Sequence, residues 1–199
     1  MSLLNRTIVA LLPLVPRFVV GRVARPYIAG ETLDEAVAKI VSLTAEGCIA
    51  TLDVLGEEVS HSEEAEAFTL QYLEVLDRIE ADGLKCNISI KPTALGLEIE
   101  PELCEANLRR LLMRAVEMDN FVRIDMEDSS TTSVTLDIYR KLRHDFDNVG
   151  VVLQSYLFRC LDDIESLIPL KANVRVCKGI YVEPKEIAYK DRQEIRDNF

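Results

Sequence analysis

Three short apolar segments of this chain alternate with polar residues one for one. In residues 87–91, Ile88 and Ile90 share one parity, while Asn87, Ser89 and Lys91 share the other. In residues 121–127, Val122, Ile124 and Met126 alternate with Arg123, Asp125 and Glu127. In residues 173–177, Val174 and Val176 alternate with Asn173, Arg175 and Cys177. Successive side chains of a strand point to opposite faces, so each segment predicts a strand with one apolar and one polar face. Parallel sheets covered on both sides read instead as unbroken Val, Ile and Leu. One face is therefore expected under helices. The other turns Lys, Asp, Glu and Arg toward a common cavity.

Helical periodicity fills the intervals. Thr32 and Glu35 predict a capping box, and Leu33, Ala36, Ile40 and Leu43 form a stripe that ends at Gly47. Ser60 and Glu63 predict a second capping box, opening a helix with Ala65, Phe68, Tyr72, Leu76 and Ile79 on one face and Gly83 at its end. Pro101 suits the first position of the next helix, whose stripe is Cys104, Leu108, Leu111, Leu112 and Ala115. Ser129 and Ser130 predict the cap of a helix reaching Phe146; shorter helices are expected near Leu161–Ile168 and from Pro184. Strands are expected at 48–54, up to Lys91, from Phe121, at 151–155 behind Gly150, and at 173–177.

Strand–helix alternation at this spacing suits right-handed βαβ units. No two of the 8 glycines lie within three residues, so neither a dinucleotide fingerprint nor a P-loop is present. The polar parity also needs a centre to face, which a barrel supplies. A TIM-type (β/α)8 barrel takes about 250 residues. This α/β chain reads as roughly the first five units of one over residues 31–199, behind an N-terminal helical arm at 1–30. A truncated or fragmentary chain is the resulting expectation, with self-association through open barrel edges as its corollary.

Composition narrows the partners. The net charge of -11 over 199 residues argues against nucleic-acid binding. Residues 1–30 hold Arg6, Arg17, Arg22 and Arg25 and no acid, so they carry +4 and the remainder -15. The apolar run in this arm is interrupted by Pro13, Pro16 and Arg17, which disfavours a secretory signal or a membrane span. Two short helices packing on the domain explain it; an arm touching an anionic membrane surface is the alternative. Five scattered cysteines without a CxxC pair predict reduced thiols in a cytoplasmic protein. The two histidines, His61 and His144, lie far apart and predict no zinc site.

Working residues of an α/β barrel sit at the C-terminal ends of its strands. In order, those ends offer Asp53, Glu57, Lys91, Asp125, Glu127, Asp128, Gln154, Arg175 and Lys178. Pro92 fixes an extended exit for Lys91, which suits a cation for a substrate carboxylate, a tuned base, or a charge paired with Asp125. Asp125, Glu127 and Asp128 suit Mg2+, or a counter-ion and helix caps. Arg175 and Lys178 suit a phosphate or a flavin edge, or neutralise nearby acids. Together the set points to an anionic or zwitterionic ligand.

The segments 51-TLDVLGE-57, 89-SIKPTALGL-97, 121-FVRIDMEDSS-130, 151-VVLQSY-156 and 173-NVRVCKGIYVEP-184 resemble the proline dehydrogenase family, in order and at suitable spacing. The resemblance covers roughly residues 27–199, in both the single-function bacterial form and the dehydrogenase domain of the bifunctional form. It implies a barrel with FAD over its mouth, oxidation of L-proline to 1-pyrroline-5-carboxylate, and electron transfer to membrane quinone. Location is then cytoplasmic, with peripheral contact at the inner face of the cell membrane. By motif position, Lys91 would pair with the proline carboxylate, and Asp125 would join the polar network beside the flavin. Gln154 would meet the isoalloxazine edge and Arg175 the flavin near N5, while Lys178 and Gly179 would form the flavin-binding turn. Glu57 matches an acid that gates the site. Ile180 stands where the family commonly has alanine, so crowding of the flavin is expected. No counterpart of the family's last three strands or its substrate-gripping arginine pair follows Phe199. Poor FAD binding and little turnover are therefore expected of the chain alone. A Mg2+-dependent lyase or aldolase, and a non-catalytic remnant acting as an interaction module, are the competing expectations.

Overall fold

Every expected strand forms, and each pairs in parallel with the one before it. A computed structural model describes residues 29–199. The arm expected over residues 1–30 lies, but for its last two residues, outside the described residues. Helix α1 spans Leu33–Ala45; strand β1 is Ala50–Asp53, helix α2 Ser62–Ala81 and strand β2 Cys86–Ile90. A 3-10 turn at Pro92–Leu95 leads to helix α3, Pro101–Glu117, then strand β3, Val122–Ile124, and helix α4, Ser129–Asp145. Strand β4 is Val149–Gln154, helix α5 Cys160–Leu167, strand β5 Asn173–Cys177 and helix α6 Arg192–Asp197. Sheet order is β1-β2-β3-β4-β5, with no reversal. A doubly wound sheet requires a reversal at its switch point, so this winding is that of a barrel wall.

The described residues divide into two compact units, one ending at Ile49 and the other spanning Ala50–Phe199. In the first, the Thr32 hydroxyl accepts from Glu35 N–H at 3.3 Å, and the Glu35 carboxylate accepts from Glu31 N–H at 2.8 Å. That is the expected cap, closed one residue further upstream. Among the described residues of this unit, Val37 and Ile40 are buried.

In the second unit the predicted parity sorts the sheet. Ile88, Ile90, Val122, Ile124, Val149 and Val151 are fully buried beneath the helices, with Leu76, Leu108, Leu111, Leu112, Leu136 and Leu142. Burying each such side chain contributes about 1.5–3 kcal/mol. Tyr72, within the stripe expected on α2, is also fully buried. The opposite face carries Asp53, Ser89, Asp125 and Arg175, the last three joined by hydrogen bonds. All five cysteines are free thiols, as expected. Among the described residues no helix is long and apolar enough to cross a membrane.

Four local expectations are corrected. The α2 cap lies at His61, not Ser60, because Glu64 rather than Glu63 turns back; its carboxylate accepts from Ser60 N–H at 2.9 Å and His61 N–H at 3.1 Å. Asp128, not Ser129 or Ser130, caps α4: its charged side chain accepts from Ser130 N–H at 2.9 Å and Thr131 N–H at 3.3 Å. The helix expected from Pro184 begins only at Arg192, capped by Asp191. Before it, the chain turns at 185–187 and is tied down by a Leu157–Ala188 bridge and by Glu183, whose carboxylate accepts from Ser129 N–H (2.7 Å) and hydroxyl (2.5 Å) at the start of α4.

Finally, β4 starts at Val149, so Gly150 lies inside it, paired with Arg123 and Asn173. A side chain there has no room. A Cβ on Gly150 would stand 2.3 Å from Arg123 Nη1, 2.6 Å from the Phe121 ring and 2.7 Å from the Asn173 carbonyl oxygen. Gly150→Ala should therefore lower stability by about 1–3 kcal/mol. Urea unfolding measures it, and an unchanged midpoint would show that the neighbours yield freely.

Candidate active site

The strand ends place two linked ion pairs on the polar face. Lys91, just beyond β2, sets its Nζ 2.9 Å from Asp53 Oδ2 at the end of β1. Asp53 is held from behind by α2: the Tyr72 hydroxyl donates to Asp53 Oδ1 at 2.7 Å and accepts from Val54 N–H at 3.3 Å. Burial and the Asp53 charge keep that phenol protonated well above its ordinary range. Burial alone would pull Lys91 down. Its bond and charge with Asp53, aided by Glu57 and Asp125, more than reverse this, so its ammonium titrates above the ordinary lysine range.

The second pair crosses the sheet. Arg175 of β5 bonds Asp125 Oδ1, just beyond β3, and Ser89 Oγ of β2 donates to the same oxygen at 2.6 Å. Burial pushes the Asp125 carboxyl above its ordinary value, while Ser89 and Arg175 pull it back. The Tyr72 hydroxyl, bonded to Asp53, also lies 3.1 Å from the Ser89 carbonyl oxygen, so the Lys91–Asp53 and Arg175–Asp125 pairs are bridged through Tyr72 and Ser89. Sequence periodicity placed Tyr72 in an apolar stripe and missed its hydroxyl; a lone phenol at a helix position facing an acidic strand end was the available signal.

The acids considered for Mg2+ diverge. Asp125 faces Arg175 and Asp128 caps α4. Glu127, 4% exposed, accepts from Thr93 N–H at 2.8 Å and Thr93 hydroxyl at 2.6 Å. Among the described residues no group of three His, Cys, Asp or Glu side chains is arranged to hold a metal. Thr93 was not singled out by sequence, yet its hydroxyl also accepts from Glu58 N–H at 3.1 Å, tying three strand-end loops together. Glu57 stands exposed on the rim of a recess that it shares with Glu58, Thr93, Glu98 and Glu127.

Gln154, at the end of β4, is turned inward. Its Nε2 donates to the carbonyls of Met126 (2.9 Å) and Glu127 (2.8 Å), and its buried Oε1 has no partner within the chain. Past β5, the Lys178 ammonium lies 5.3 Å over the Phe199 ring. Gly179 adopts φ 99°, and a Cβ there would be 2.4 Å from the Tyr156 ring, so only glycine makes this turn. Ile180 projects 86% exposed among the described residues.

The proline dehydrogenase family model matches residues 36–193. Proline dehydrogenase 1 of Bacillus subtilis is 36% identical over 170 residues, covering 85% of this chain and 56% of that protein. Proline dehydrogenase of Deinococcus radiodurans is 35% identical over 181 residues, covering 88% and 58%. The chain therefore spans a little over half the length of these curated relatives. In fold it is similar to proline utilization A from Bdellovibrio bacteriovorus inactivated by N-propargylglycine, with a TM-score of 0.78 at 24% identity over 86% of this chain and 23% of that one. That likeness agrees with reading the sheet as part of a TIM-type barrel wall. A five-stranded barrel wall with these strand-end residues, matched by the family model over most of its length, belongs to the proline dehydrogenase family.

Proposed function

We propose that this chain carries the substrate-facing wall of an FAD-dependent site that oxidises L-proline to 1-pyrroline-5-carboxylate in proline catabolism. One observation carries the reading: Lys91 and Arg175 stand on one polar face, each tied to an acid that a hydroxyl already braces. Such a face presents fixed positive charge to a carboxylate without leaving that charge unpaired when no ligand is bound.

Lys91 would take the proline carboxylate, since its ammonium stays charged through the neutral range. Asp53 and Tyr72 orient it. Asp125 would hold Arg175 in place beside the cofactor. The residues fit a flavin. The unpartnered Oε1 of Gln154 is a buried acceptor suited to a ring N–H, and the Gly179 turn brings backbone close where a side chain would collide. When bound, FAD supplies the two-electron acceptor for oxidation of the substrate ring. Glu57, on the rim, would govern access. Transfer onward to quinone and contact of residues 1–30 with a membrane surface are supported by the family resemblance and by the basic charge of that arm. Self-association through β1 and β5, each paired on one side among the described residues, belongs to the same reading.

The test is a calorimetric titration of the full chain with FAD and then L-proline, D-proline serving as control, beside a proline:dye assay. Weak but saturable FAD binding, L-proline binding that depends on it, and little or no dye turnover by the chain alone are the expected result. Failure of both ligands to bind would remove the proposal.

A further inference from the structure

Beneath the Asp125–Arg175 pair lies a second crossing that runs the other way. Arg123 of β3 donates through Nη1 to the carbonyls of Val151 (3.2 Å) and Asn173 (2.9 Å), and through Nη2 to Asn173 Oδ1 (2.7 Å). Arg123, Gly150 and Asn173 occupy one row across β3, β4 and β5. Neighbouring strands lie about 4.8 Å apart, so the guanidinium spans two strand spacings. It can do so only because Gly150 has no side chain in its path. The Phe121 ring, with its centroid 4.8 Å from the guanidinium carbon, flanks it.

One pleat further on, Val152 pairs with Arg175, and Arg175 reaches back to Asp125. At the lower row, Gly150 gives Asn173 no side chain to pack on. We propose that Arg123 is a positioning residue: by crossing Gly150 to hold Asn173, it fixes β5 at the height where Arg175 meets Asp125. The arginine fork is essential, because three acceptors on two strands are engaged by one planar group, which a lysine ammonium cannot reproduce. The significance of this for ligand binding rests on the role given to Arg175 above; the crossing itself does not.

The Asp125 carboxyl carbon, followed by NMR through a pH titration of the full chain, reads the arrangement. The charged groups facing it are Arg175, Asp53, Lys91 and Arg123, the neutral titratable ones Tyr72, Cys177 and Tyr181, and the Ser89 hydroxyl is bonded to it. Asn173→Ala removes the side-chain anchor and keeps every charge. Arg123→Lys keeps the cation and loses the fork. Each should raise the Asp125 midpoint toward its value in Arg175→Met, because withdrawing a guanidinium disfavours the carboxylate. Neither should raise it further when combined with Arg175→Met. A wild-type midpoint in both single variants, or full additivity in the doubles, overturns the proposal. So does a drop in urea stability with the midpoint unmoved, which would leave Arg123 a purely structural tie. If Arg123→Lys does not fold, Asn173→Ala decides alone. FAD affinity of Arg175→Met separates the two readings: an unchanged affinity would remove the cofactor role of Arg175 while the midpoint shifts still decide the crossing.

Discussion

Lys91→Met should weaken binding of L-proline about 10- to 100-fold, the loss of one hydrogen-bonded charge. FAD affinity should stay within a factor of about two, since no cofactor contact is assigned to this side chain. The substitution removes the cation and leaves Asp53 with the Tyr72 hydroxyl as its remaining bonded partner at that end. An uncompensated acid then faces the incoming carboxylate, so repulsion adds to the lost attraction. The pH dependence has a defined sign. The folded Lys91 titrates above its unfolded value, so its contribution is complete below the unfolded pKa and is lost only as pH rises through the higher folded one. Binding should therefore show no decline from Lys91 across the neutral range. Calorimetry with wild type and variant at matched FAD saturation measures the change. Equal L-proline affinities would exclude Lys91 from the carboxylate site.

Glu127→Ala should cost about 2–4 kcal/mol of folding stability, close to the upper range for a single polar substitution. The carboxylate satisfies both the N–H and the hydroxyl of buried Thr93, and its own carbonyl receives Gln154 Nε2. Truncation strands two donors of a residue that is only 3% exposed. Glu127→Gln keeps one acceptor and should lose less. Urea unfolding of the three proteins gives the ranking, and a loss below about 0.5 kcal/mol for the alanine variant would mean that the loops relax around Thr93. Because burial lifts the Glu127 carboxyl above its ordinary value, its protonated form favours the fold, and that contribution is lost as pH rises through the folded pKa.

The strand faces were legible because alternation is a property of the backbone: Ile88, Ile90, Val122 and Ile124 could be buried together only if Ser89 and Asp125 faced the other way. Helix starts were less so. The Ser60/Glu63 and His61/Glu64 registers offer the same carboxylate one residue apart, and only the three-dimensional turn chooses between them. Gln154 could be placed at a strand end by pattern, yet its commitment to two backbone carbonyls depends on how the β3 exit folds over it. Lys178 lay in the matched motif, but Phe199, far along the chain, decides where its ammonium rests. Charge type and strand position can be read locally; the partner that captures a long side chain cannot.

The unreversed order of the sheet has a consequence for how the molecule is assembled. Ala50 pairs with Cys86, Ile88 with Val122, Val122 with Val149, and Gly150 with Asn173, so every strand docks on a neighbour completed just before it. Among the described strands, each one after β1 finds its partner already made. Loop closure for each addition is short and similar, which favours a wall that grows in the direction of synthesis, one unit at a time.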